Sequence, residues 1–117
     1  MKNPDQFIKY ERTVPFEAFL QKVETQSMSN MFTEEELVLY GKQVQPKSLA
    51  VRWLTKEILI EHYREGLNFQ MISITGLPSG KPVITINNND IPDKIHISLS
   101  HSKNYISCLV IIEQPCS

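Results

Sequence analysis

The sequence predicts an α+β fold in which N-terminal helices pack on a small antiparallel sheet. Two observations lead there. Apolar residues recur at helical spacing as far as Tyr63, and beyond Gly66 they fall into short alternating runs separated by Gly, Pro and Asn clusters. Helices first and antiparallel strands second are the mark of α+β rather than α/β.

Asp5 to Pro15 is charged and mixed, and its pattern assigns it to neither state. Phe16 to Val23 (FEAFLQKV) has apolar residues at helical spacing and predicts a short helix, followed by a loop at Gln26 to Asn30. Thr33-Glu34-Glu35-Glu36 has the form of a capping box, in which the Thr33 hydroxyl accepts from the Glu36 amide while that carboxylate reaches back. Three acids in one turn also suit the positive end of a helix dipole. This helix is predicted to run to Tyr40 and stop at Gly41. Pro46 permits a new start at Lys47 or Ser48. From there Leu49, Val51, Trp53, Leu54, Ile58, Leu59, Ile60 and Tyr63 make a long helix that is apolar around most of its circumference, and such a helix is buried in its own domain or against a partner. Phe69 to Thr75, ending at Gly76, and Val83 to Ile86 read as strands around a Pro78–Pro82 turn. Asn87 to Asp90 is a polar loop. Ile95 to Ser100 and Tyr105 to Ile112 read as a hairpin around His101-Ser102-Lys103-Asn104.

The chain of 117 residues is the size of one domain, and with 41% hydrophobic and 21% charged residues it has the composition of an ordinary globular protein. Lys+Arg 12 against Asp+Glu 13 gives a net charge of -1, so there is no general basic field for nucleic acid or an acidic membrane; anion binding must be local. No apolar run is long enough to span a bilayer, and MKNPDQFIKYERT has no signal-peptide apolar region. Cys108 and Cys116 form neither a zinc motif nor a disulfide framework, which suits a reducing cytoplasm.

Three stretches carry residue types suited to chemistry. In Ser48 to Leu59 (SLAVRWLTKEIL), Arg52 and Lys56 are four apart and share a helix face, so both could grip one phosphate. Glu57 lies about 100° round the helix from Lys56 and could hold a hard cation beside the same phosphates; the alternative is that these charges simply face water. In Leu77 to Pro82 (LPSGKP), Gly80 allows close backbone approach and Lys81 adds charge, as at a ligand edge, yet the same residues make a plain hairpin turn. In Ser98 to Ser102 (SLSHS), His101 sits at a hairpin mouth, where it could contact phosphate or act as a base, or merely be solvated. Ser100 and His101 have no orienting acid at a telling distance, so no triad is legible. His62 and His96 are not spaced for a metal and read as structural.

The order FTEEELVLY, VRWLTKE, GLPSGKPVI, KIHISLSHSKNYISCLVII resembles the small holo-acyl-carrier-protein synthases of the 4'-phosphopantetheinyl transferase superfamily. The likeness covers Phe32 to Ile112 within a single domain of residues 1–117. It implies transfer of the 4'-phosphopantetheine arm of coenzyme A to a serine of an acyl or peptidyl carrier protein, with magnesium, in fatty acid or polyketide biosynthesis. Negative charge builds on a pyrophosphate under attack, so a metal and cations must be preorganised there. By position, the resemblance implies Glu57 as a magnesium ligand and Glu57, Lys56 and His101 as the reacting centre. It also implies Arg52, Ser100, Gly80, Lys81 and Pro82 along the coenzyme A, and an assembly, a trimer or a hetero-oligomer, with the site between protomers.

The chain departs from the family at three places. The family opens with a strand bearing a second metal-ligand Asp; here the glycines and that strand are missing from the pattern, and Asp5, with Glu11-Arg12 behind it, is off by one residue. Where the family carries a lysine four residues after the helix Glu, this chain has Glu61. At about 6 Å and an effective dielectric of about 20, that exchange moves the interaction with one phosphate charge from roughly -3 to +3 kcal/mol, unless a metal is shared by Glu57 and Glu61. The helix end, His62 to Leu67, is bulkier than the family's small-residue run. All three changes fall on the ligand side, which makes a catalytically inactive relative that binds a carrier protein or partner subunit the alternative.

Overall fold

The computed structural model describes residues 6–41, 46–76 and 80–115. Strand β1 (Phe7–Pro15) leads into helix α1 (Phe16–Thr25), a single turn α2 (Met28–Met31), helix α3 (Glu34–Tyr40) and the long helix α4 (Lys47–Tyr63). After 3-10 turns at Arg64–Gly66 and Phe69–Met71 come β2 (Ile72–Gly76), β3 (Pro82–Ile86), β4 (Lys94–His101) and β5 (Tyr105–Glu113). The strands make two antiparallel sheets, one ordered β1-β5-β4 and one formed by β2 and β3. Among the described residues no helix is long and apolar enough to cross a membrane.

α4 is the axis of the core. Leu49, Ala50, Val51, Trp53, Leu54, Ile58 and Leu59 are all buried, against Phe19 of α1, Met31, Phe32, Ile72 and Ile74, and the inward row Ile106, Val110 and Ile112 of β5. A helix enclosed by α1, α3, β4 and β5 needs apolar residues all round. The Thr33 box forms as predicted: its hydroxyl accepts from the Glu36 amide, and the Glu36 carboxylate accepts from the Thr33 amide at 2.9 Å.

Three local readings are corrected. The opening strand is present: Phe7–Pro15 pairs with β5 from Phe7 opposite Glu113 to Pro15 opposite Tyr105. Its alternation was hidden because the inward row Ile8, Tyr10, Arg12, Val14 contains one charge, and that charge is held by a partner on another element. Gln26 to Asn30 is not wholly a loop, since Met28–Met31 winds into a turn that buries Met31. Phe69–Met71 is not strand: the Asn68 side chain accepts from the Gln70 and Met71 amides and caps a tight turn.

The three-stranded sheet has α4 on one face only. On the other, Thr13 of β1, Ser98 and Ser100 of β4 and Ser107 of β5 line a shallow groove of about 380 Å³, with Leu109 beside them. Period-2 alternation therefore separates Ser100 from its neighbour His101, which turns toward the α4 side.

Candidate functional site

Helix α4 carries Arg52, Lys56, Glu57 and Glu61, and the structure gives each a different fate. Lys56 is completely buried. Its ammonium donates to the Glu36 carboxylate at 2.5 Å, to the Phe69 carbonyl at 3.1 Å and to the Met31 carbonyl at 3.2 Å. Those three acceptors match the three N–H bonds of an ammonium, so no donor remains for a phosphate. Burial pushes the Lys56 pKa down and the Glu36 charge pulls it back. Lys56 is thus a structural cation, and the expectation that it acts in the reacting centre is corrected: a charge in an all-round apolar helix was buried with a partner.

Arg52 is also committed, though only in part. Its Nε donates to the Ile74 carbonyl at 2.7 Å and one terminal nitrogen to the Ser48 carbonyl at 2.8 Å, tying α4 to β2. The guanidinium stacks 3.9 Å from the centre of the Tyr40 ring. Burial lowers its pKa from the usual arginine value, opposed by Tyr40 and Glu36. The expected shared grip of Arg52 and Lys56 on one phosphate does not form. Arg52 nevertheless borders a cleft of about 190 Å³ with Ser48, Gly80, Pro82, Leu99 and His101. Four predicted positions from three separate stretches (Arg52, Gly80, Pro82 and His101) therefore meet in one place. Gly80 has φ +90 with open space where a Cβ would lie, so a side chain there would be strained by backbone conformation rather than by a clash. Lys81 is exposed immediately beside the cleft. Ser100 is on the far face of its strand and is corrected as a neighbour of these residues.

Glu57 points elsewhere. It lines a groove of about 410 Å³ between α1 and α4, with Ala18, Gln21, Lys22, Thr25 and Trp53. None of the described residues hydrogen-bonds or ion-pairs with its carboxylate, which distinguishes it from Arg52, Lys56 and Glu61 on the same helix. Burial raises its pKa; Glu61 raises it further, while Lys22 and Arg12 oppose the shift. Sequence reasoning missed Lys22, whose position on α1 gives no sign that it faces α4.

Glu61 is not left as a bare carboxylate. Arg12 reaches from β1 and donates through both terminal nitrogens, at 2.7 and 3.3 Å, to its two oxygens. That bond raises the Arg12 pKa above the usual arginine value, against partial burial.

A magnesium ion requires oxygen donors, and magnesium sites commonly combine one or two carboxylates with substrate phosphates. Among the described residues no group of three or more His, Cys, Asp or Glu side chains could enclose a metal. Glu57 supplies one uncommitted carboxylate, which fits an ion that arrives with phosphates and not an all-protein cage. Glu61, engaged by Arg12, is not a second free ligand. Asp5 lies outside the described residues.

No protein-family model matches the chain. Among curated proteins, the holo-acyl-carrier-protein synthase of Streptococcus mutans is 36% identical over 99 residues, covering 82% of this chain and 77% of that protein. That of a Geobacillus species is 33% identical over 109 residues, covering 81% and 89%. Among solved structures, a holo-acyl-carrier-protein synthase from Bacillus anthracis in complex with coenzyme A (3',5'-ADP) superposes with a TM-score of 0.76 at 18% identity, covering 92% of this chain and 96% of that one. The Helicobacter pylori synthase in complex with coenzyme A gives 0.75 at 19%, covering 91% and 100%. The superpositions establish the fold, and the two curated relatives carry the assignment: the chain belongs to the holo-acyl-carrier-protein synthase family.

Proposed function

We propose that this protein transfers the 4'-phosphopantetheine arm of coenzyme A to a serine hydroxyl of an acyl or peptidyl carrier protein, with magnesium. The single observation that carries the reading is Glu57. Of the two carboxylates on α4 it is the half-buried one, at a groove edge, and none of the described residues pairs with it. Desolvating a carboxylate without a partner is unfavourable, and a ligand that arrives with a cation offsets that penalty.

In the reaction the serine oxygen forms a bond to the phosphorus nearer pantetheine, the P–O–P bridge breaks, adenosine 3',5'-bisphosphate leaves, and the serine proton passes to solvent or a base. A bound magnesium ion would supply charge neutralisation for the leaving phosphate. Glu57 would hold it. The cleft of Arg52, Gly80, Pro82 and His101 would take the nucleotide end, with His101 and Lys81 supplying donors to phosphate and the φ of Gly80 letting backbone approach closely.

Glu57 and His101 line two grooves that share no residue. A site between copies of the chain resolves that separation, with Glu57 contributed by one copy and the nucleotide cleft by the next. The sheet face bearing Thr13, Ser98, Ser100 and Leu109, which no helix of the described residues covers, is a surface available for such an assembly, and light scattering in solution would measure its size.

The test is to incubate the protein with an apo carrier protein, coenzyme A and magnesium and to weigh the carrier. A phosphopantetheine increment that disappears in Glu57→Ala supports the reading. A carrier that binds without gaining mass, across several carriers, favours the inactive relative that Glu61 brings to mind.

A further inference from the structure

Two carboxylates on one face of α4 are unfavourable neighbours for a phosphate, and the chain has answered this from another element. Arg12 sits in the inward row of β1, opposite Cys108 of β5, and crosses to α4 to meet Glu61 through both terminal nitrogens. It acts electrostatically on Glu57 as well, which lies one turn from Glu61 on the same helix. A guanidinium has five N–H bonds. One from each terminal nitrogen is spent on Glu61, and the side chain remains 34% exposed, so three N–H bonds stay available on a planar group whose orientation the carboxylate has already set.

We infer that Arg12, braced by Glu61, is the phosphate-binding cation beside Glu57: the strand supplies the positive charge that the helix lacks. Glu61 is then a positioning residue for Arg12, and the sign of its own charge is offset within the pair. Lys22, on the opposite wall of the Glu57 groove, adds a second cation, so Glu57 and Glu61 are balanced by Arg12 and Lys22. The inference rests on the proposed use of coenzyme A and names the residue that would recognise its pyrophosphate. The chemistry requires Arg rather than Lys: only a fork can hold a carboxylate and present further N–H bonds in the same plane to a phosphate oxygen.

The test is calorimetric titration of the full chain with coenzyme A and, separately, with adenosine 3'-monophosphate, which lacks the pyrophosphate. The ion pair lies near the surface, so Arg12→Gln is expected to fold, and thermal unfolding checks this. Arg12→Gln should weaken coenzyme A binding roughly ten- to hundredfold, the range for a lost charge-assisted bond, and leave adenosine 3'-monophosphate within about twofold. Arg12→Lys should recover part of the loss and not all of it. Should Arg12→Gln not fold, Arg12→Lys alone decides, by the same comparison of the two ligands. Coenzyme A binding that is unchanged in the Arg12 variants overturns the inference and leaves the transferase reading standing. Wild-type protein that binds no coenzyme A overturns both.

Discussion

Lys56 and Glu36, twenty residues apart in sequence, are both fully buried and joined ammonium to carboxylate at 2.5 Å. Glu36 also accepts from the Thr33 amide and from the Ile74 amide at 2.9 Å, so one carboxylate binds α3, α4 and β2 together. The pair fixes the turn of α4 on which Glu57 stands. It is a structural joint, and the site is built on it.

Removing one partner leaves the other charge buried without compensation. Lys56→Met is expected to destabilise the fold by about 3–5 kcal/mol, read from urea unfolding. Lys56→Met with Glu36→Gln should recover part of that, because the buried charge is gone, while the amide still serves some backbone partners. A Lys56→Met protein as stable as wild type would show that the joint is dispensable.

Glu57 should behave oppositely. Its folded pKa is raised, chiefly by burial, so the stability linked to its protonated form is present below the unfolded carboxylate range and is lost as pH rises through the folded value. At neutral pH the ionised group therefore opposes folding. Glu57→Gln is expected to unfold at higher denaturant than wild type at pH 7, with the gain vanishing near pH 4, and to lose carrier modification. Equal stabilisation at both pH values would show that charge is not its source.

The Thr33 cap links α3 to β2, since its hydroxyl lies 3.1 Å from that of Ser73 as well as bonding Glu36. Thr33→Ala should cost about 1 kcal/mol of stability, measured as a shift in unfolding midpoint without a change in the denaturant slope.

His101 is exposed, and none of the described residues bonds its side chain, so His101→Ala should leave the unfolding midpoint within experimental scatter. If the cleft with Arg52, Gly80 and Pro82 takes the nucleotide end, the same variant should weaken adenosine 3',5'-bisphosphate binding roughly three- to tenfold. Unaltered binding would move the nucleotide to another part of the surface.

Local chemistry announced α3, α4 and the closing hairpin directly. The Thr33 box, the Pro46 start and the His101–Asn104 turn are short-range signals that need no tertiary context. β1 was hidden because a period-2 pattern is judged by its apolar row, and Arg12 interrupts that row with a charge whose partner is forty-nine residues away. Among the candidate site residues, Arg52, Gly80, Pro82 and His101 were joined only by the family resemblance, since each one alone reads equally as a solvated helix charge, a plain turn residue or a solvated histidine. Ser100 was not separable from His101 by sequence, because which of two adjacent strand residues faces inward depends on register with β5.

The residue types at each position, the α+β succession and the family followed from the sequence alone, because capping, periodicity and turn chemistry act over a few residues. The destinations of the charges were decided only by the tertiary structure. Lys56 went to Glu36, Glu61 to Arg12, and Glu57 to no partner among the described residues, because each outcome depends on which distant groups the packing of α4 brings within hydrogen-bonding reach and on how much water that packing excludes.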